Sequence, residues 1–221
     1  MNHHTRKSIT PKHHLLGLLG ATALIAASLT AANAQIGSGW SQYTPSKSYH
    51  GGVSQSQRYS ISGSTEHFWV FNTDPSAFPG SDSGPRSEWR VNNNYSSGSQ
   101  QFQANFNAES GTSSYTVFQI FGSLSASTSI QLQMRSGNGT LRRYNSEIIA
   151  TGCWGVYKRL NVIHYTSTGK IETWVNGSAS SKQVFNDGGN TTYYFKYGTY
   201  NTGSATSRTG CYWQSVKFFR K

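Results

Sequence analysis

Apolar and polar residues alternate in short runs along residues 35–221, and no stretch there repeats its apolar positions at helical spacing. A period of two puts successive side chains on opposite faces of a strand. Such runs predict strands over 67–72, 88–91, 101–107, 115–121 and 129–135, then over 157–165, 170–175, 193–200 and 211–219. Turn formers separate them, for example Asn176-Gly177 and Asp187-Gly188-Gly189-Asn190. Many short strands joined this way predict an all-β fold, a single β-jelly roll of two antiparallel sheets. No internal repeat or interdomain linker interrupts the pattern. Two longer connections, 73–85 with Pro75, Pro79 and Pro85, and the small polar 123–128, are placed to overhang a cleft as lids, or else are plain surface loops.

The N-terminus reads differently. Arg6, Lys7 and Lys12 precede an apolar run over 15–29, and Ala32-Asn33-Ala34 supplies a cleavage site. Residues 1–34 are therefore expected to be a signal peptide and 35–221 the mature domain, secreted or periplasmic. The apolar run is short for a membrane span and no later stretch is long enough, so no membrane association is expected. The mature part carries sixteen Lys and Arg against eight Asp and Glu, about +8. A basic, aromatic-rich surface suits nucleic acid or an anionic polymer. Export favours an anionic polysaccharide over nucleic acid, and a monomer is expected. Cys153 and Cys211, the only cysteines, are expected to form one disulfide, as an even pair in an exported chain does.

Three segments carry candidate chemistry. In Tyr193-Tyr194-Phe195-Lys196-Tyr197-Gly198-Thr199-Tyr200-Asn201, alternation puts Tyr194, Lys196 and Tyr200 on one face, with Gly198 leaving an open spot. A cation and two phenols suit an acidic sugar; an ordinary sandwich strand with a solvated tyrosine face is the plainer reading. In Arg86-Ser87-Glu88-Trp89-Arg90, Arg86, Glu88 and Arg90 share a face. An arginine fork matches a carboxylate with two parallel bonds, though a surface ion-pair ladder has the same pattern. In the third segment Tyr115, Val117, Gln119 and Phe121 are expected on one face, where the Gln119 amide needs a partner: a substrate group or a neighbouring strand.

Residues 35–221 hold three histidines. His164, among Leu160 and Val162, reads as a packed core residue; His67 opens an aromatic strand and faces either way; His50 sits in a loop before Gly51-Gly52. None has a partner at metal-ligand spacing, so neither a metal nor a cofactor is expected. Eight acids in all make two-carboxylate hydrolysis hard to build. Elimination fits better. A polyuronate lyase must neutralise the uronate carboxylate, so that the C5 proton can leave, and then needs a base and an acid. Arginine, amide and phenol supply these groups. A binding module using the same groove without turnover is the rival reading.

Together the three segments resemble, in order along the chain, the signature blocks of the alginate lyases of polysaccharide lyase family 7. The resemblance implies that all three blocks line one concave sheet of a jelly roll. It implies that Arg86 and Gln119 neutralise the carboxylate, that Tyr200 protonates the leaving group, and that Arg90, Lys196 and Asn201 bind neighbouring sugars; Glu88 and Tyr194, on the same strand faces, are expected to join them in binding substrate. Where the family's middle block has histidine this chain has Phe121, and Thr202 replaces the closing glutamine. Related jelly-roll lyases act on glucuronan. In D-mannuronate and D-glucuronate the C5 proton and the C4 oxygen lie on one side of the ring, so one phenol serves as base and acid. In L-guluronate they lie on opposite sides, which calls for the separate histidine. A polymannuronate-preferring, endo-acting lyase is therefore expected, unless His67 or His50 enters the cleft as base.

Overall fold

The alternation in β14 (Tyr193–Asn201) shows how the domain is built. Tyr193, Phe195 and Tyr197 point into the core, while Tyr194, Lys196 and Tyr200 face the other way. The same division recurs in strand after strand of a computed structural model that describes residues 36–80, 83–111, 114–123, 128–135, 137, 139–202 and 208–221. The expected signal peptide lies outside the described residues.

Two antiparallel sheets result. One is formed by β1 (Ser41–Tyr43), β3 (Tyr59–Ser62), β4 (Thr65–Phe71), β6 (Ser99–Ala108), β11 (Lys158–Tyr165), β12 (Lys170–Val175), β13 (Gln183–Asn186) and β15 (Arg208–Arg220). Its order is β13-β12-β11-β6-β15-β4-β3, with β1 also paired to β15. The other is formed by β2 (Lys47–Gly51), β5 (Arg86–Val91), β7 (Tyr115–Gly122), β8 (Thr128–Arg135), β9 (Thr140–Arg143), β10 (Ile148–Ala150) and β14. Its order is β10-β9-β8-β7-β14-β5-β2. One four-residue helix, α1 (Gln55–Arg58), joins β2 to β3. Chain neighbours such as β5 and β6 fall in different sheets, as in a jelly roll rather than a meander.

The core between the sheets is aromatic. Phe68, Phe102, Phe118, Phe195, Tyr197 and Trp213 are all essentially buried, and the Phe102 ring lies 4.7 Å from Phe118 and 5.6 Å from Trp213. Burying one such ring contributes roughly 1.5–3 kcal/mol, so Trp213→Ala should cost about 3–5 kcal/mol. At Ser215 (φ +54°) β15 bulges, and its register against β6 shifts between Gln214 and Lys217. Before the bulge β15 pairs with β4, and after it with β1.

The predicted strands match observed ones to within a few residues. Short strands β1, β2, β3, β9, β10 and β13 are additional, because three to five residues give too few alternations to read. Two expectations are corrected. Cys153 and Cys211 are not bonded: both are buried free thiols. The Cys211 Sγ donates to Gly198 O (2.8 Å) and accepts from Trp213 Nε1 (3.1 Å), whereas Cys153 Sγ turns to Thr151 O (3.7 Å). Burial pushes both thiols up, Cys153 against the charge of Lys158. The single face expected for Tyr115, Val117, Gln119 and Phe121 is broken as well. A bulge between Thr116 and Phe118 resets the alternation, so Tyr115 and Val117 join the core while Gln119 and Phe121 face the cleft.

Candidate active site

The outer face of the seven-stranded sheet carries the site, at its centre. On β5 and β14 the register sets Arg86 across from Tyr200, Glu88 across from Gly198, and Arg90 across from Lys196. On the other side of β14, Lys196 faces Gln119 and Tyr194 faces Phe121 of β7. Cross-strand neighbours on one face lie within side-chain reach, so residues far apart in sequence meet here. A cleft of about 630 Å³ opens above them, lined by Phe78, Arg86, Gln119, Phe121, Tyr194, Lys196 and Tyr200 among others. A smaller hollow of about 270 Å³ beside Lys47 and Glu66 holds none of the predicted site residues.

Glu88 ties the floor together. Its Oε1 accepts from Arg86 Nη1 (2.9 Å) and Lys196 Nζ (2.8 Å), and its Oε2 from Gln119 Nε2 (3.2 Å). Burial works against the charge of Glu88, but Lys196 and Arg86 outweigh it and hold the carboxyl below its usual value. For Lys196, burial lowers the ammonium while Glu88 opposes. Each cation also faces a ring: Arg86 lies 4.0 Å over Tyr200, Arg90 4.0 Å over Tyr194, and Lys196 5.1 Å over Phe121. Arg90 is fixed by Asn92 Oδ1 (2.9 Å) and Asn94 Oδ1 (2.6 Å). Burial raises the Tyr194 phenol, with Arg90 acting the other way.

The 73–85 connection does overhang the cleft at one point. Phe78, 41% exposed, stands 4.9 Å from the Arg86 guanidinium and edge-on to His50 at 5.5 Å. Ser81 and Asp82 lie outside the described residues, as do 124–127 of the other expected lid.

The structure brings together Arg86, Glu88, Gln119, Lys196, Tyr194 and Tyr200, with Arg90 beside them. It separates His67 and turns Asn201 aside. His67 belongs to β4 of the other sheet, where its neighbour Phe68 fills the core and leaves it on the outer face. There the ring stacks on Tyr212 (4.0 Å) and Nε2 meets Glu109 (2.8 Å) and Arg208 (3.2 Å). Asn201 falls by alternation on the face of Thr199, away from Tyr200, and is 5% exposed. The histidine nearer the site is His50, which does not line the cleft itself but packs against Phe78 at its margin. It sits not in a loop but on edge strand β2, directly across from Glu88. Its Nδ1 is buried without a hydrogen-bond partner among the described residues. Burial, then the charge of Lys196, push this imidazole down to about 4 against the pull of Glu88. Gln131, paired with Gln119, also lines the cleft and was not foreseen. The Lys47-Ser48-Tyr49-His50 alternation was the available signal, with Tyr49 packing on Trp89 at 5.8 Å.

Among the described residues no group of His, Cys, Asp and Glu is arranged to hold a metal ion, and no helix is long and apolar enough to cross a membrane. Two open sheets packed as a jelly roll, with arginine, amide and phenol gathered on one of them, form a fold shared with solved alginate lyases. A family model described as alginate lyase matches residues 35–220. The chain belongs to the alginate lyase family and is a polysaccharide lyase. Alginate lyase PA1167 from Pseudomonas aeruginosa is similar in fold, with a TM-score of 0.59 over 74% of this chain and 86% of that one at 18% identity. The PL7 alginate lyase AlyA1 from Zobellia galactanivorans gives a TM-score of 0.62 over 82% and 95%, at 14% identity. A citrate-binding protein from Hevea brasiliensis is 35% identical over 165 residues, 74% of this chain and 68% of its own length.

Proposed function

We propose that the protein is an endo-acting polyuronate lyase that cleaves by β-elimination and prefers substrates of the mannuronate or glucuronate configuration. One observation carries this reading: Arg86 lies against the Tyr200 ring at 4.0 Å, with Gln119 in the same cleft. Arg86 and Gln119 neutralise the carboxylate of the sugar being cleaved, which stabilises the charge that develops when C5 loses its proton. Tyr200, reacting as phenolate, takes that proton; the C4=C5 bond forms as the C4–O4 bond breaks, and the phenol returns the proton to O4. No group other than Tyr200 is asked to move a proton. Phe121 occupies the position from which a family histidine would serve the opposite face of the ring. Tyr194 and Arg90 bind a neighbouring sugar. Export rests on residues 1–34 alone, and the mature enzyme acts as a monomer.

Lyase products carry an unsaturated end that absorbs in the ultraviolet, so incubation with polymannuronate and glucuronan tests the reading directly. A second reading has its own observation, the relative named for citrate binding. The cations of the cleft suit a small polycarboxylate as well as a uronate. Citrate binding to the cleft with no ultraviolet product from any polyuronate would favour a binding module over turnover.

A further inference from the structure

The floor of the cleft depends on Gly198. A Cβ at this position (φ +143°) would lie 2.4 Å from Ser87 O and 2.6 Å from Glu88 Cα, so the β5–β14 pairing needs glycine there. Opposite it, the Glu88 side chain stands between the Lys196 and Tyr200 positions. Both its oxygens are engaged by protein donors, from Arg86, Lys196 and Gln119, and the residue is 2% exposed. Buried and engaged in this way, the carboxylate is poorly placed to take a sugar hydroxyl, and its charge would repel a polyanion. What it does hold is the guanidinium that packs on Tyr200 and the amide that faces the cleft.

We infer that Glu88 is a positioning residue: a resident carboxylate that aims Arg86 and Gln119 and seats Arg86 on the Tyr200 ring, without touching the sugar. This rests on the lyase reading of the cleft, and it replaces the expectation that Glu88 binds substrate. It also reassigns Lys196, whose ammonium, in a residue 2% exposed, serves as the counter-ion of Glu88. Among the described residues Arg86 Nε has no partner, so the donor set is held in place without being exhausted.

Glu88→Gln is the first test, with turnover followed on polymannuronate. A small displacement of Arg86 costs rate rather than binding, so kcat should fall about 100-fold while KM changes less than about threefold. The substitution strands a buried ammonium, so Glu88→Gln/Lys196→Met, which removes both charges, guards against a folding failure. The double variant should melt near the wild type and still show the loss in kcat. Wild-type kcat in either variant overturns the inference, as does an intact kcat with KM raised tenfold or more, the sign of a sugar contact. A second readout does not depend on turnover. In ¹⁵N-labelled protein the Arg86 Nε–H and Gln119 amide resonances should be sharp in the wild type and shifted or broadened in Glu88→Gln. Unchanged resonances contradict the inference even if the wild type makes no unsaturated product, an outcome that sinks the lyase reading alone.

Discussion

Two of the polar clusters buried in this sandwich differ in how they end. One joins His164, Asp187, Tyr95 and Tyr193 at the β11–β14 end. His164 Nδ1 meets the Tyr95 hydroxyl and Nε2 meets Asp187 Oδ2, both at 3.0 Å. Tyr193 donates to the same carboxylate at 2.7 Å and Gly189 N to its other oxygen at 2.9 Å. Every donor finds its acceptor within the cluster, which is how a structural network closes. The Glu88 cluster is built from stronger charges yet stays open: among the described residues Arg86 Nε and the neighbouring His50 Nδ1 have no hydrogen-bond partner, and a cleft of about 630 Å³ lies above the cluster. A closed network holds the fold, whereas an open one beside a cavity has groups left for a ligand.

Substitutions should separate the two clusters cleanly. The largest effect is expected from Tyr200→Phe, which removes one oxygen from the open side. Turnover should fall about 10³-fold, with thermal stability within about 0.5 kcal/mol of wild type and polymannuronate still bound. In the closed cluster Asp187→Ala should do the reverse. It strands His164 Nε2 and the Gly189 N–H, while the Tyr193 hydroxyl keeps the Asn190 carbonyl, so denaturant unfolding should show a loss of about 3 kcal/mol, with kcat per folded molecule unchanged.

Acid offers a smaller perturbation of both. Burial lowers the His164 imidazole, with Asp187 opposing, and His50 is pushed down to about 4. Folded, both stay neutral at a pH where the unfolded chain takes up protons. Unfolding therefore binds protons, and stability should be flat above about pH 6.5 and decline from there towards about pH 4. His50→Gln should flatten part of that slope. A slope of the opposite sign would mean that the histidines are charged in the fold.

Much of the site was legible because strands obey a period of two. Arg86, Glu88 and Arg90 on one face with Trp89 in the core, and Tyr194, Lys196 and Tyr200 on another, follow from alternation alone. What alternation cannot report is a bulge, which is why Tyr115 and Val117 were misplaced relative to Gln119. Nor does it say to which sheet a strand belongs, which is why His67 and His50 could not be told apart. The role of Glu88 was hidden for a related reason. Its partners Gln119 and Lys196 are 31 and 108 residues away, and only the pairing order reveals them.

The smallest expected effect concerns the cysteines. With both thiols free in the core, reductant should leave the melting temperature unchanged, and thiol titration of unfolded protein should find two. A shift of several degrees on reduction would mean a disulfide.

The substrate screen bears most directly on the Tyr200 chemistry. Purified protein is supplied separately with polymannuronate, glucuronan and polyguluronate, and the initial rate of ultraviolet absorbance is measured on each. With Phe121 at the histidine position and Tyr200 as both base and acid, the rate on polymannuronate or glucuronan should exceed that on polyguluronate. A rate on polyguluronate equal to or above the others, abolished by His50→Ala, would contradict the single-tyrosine mechanism and make His50 the second base.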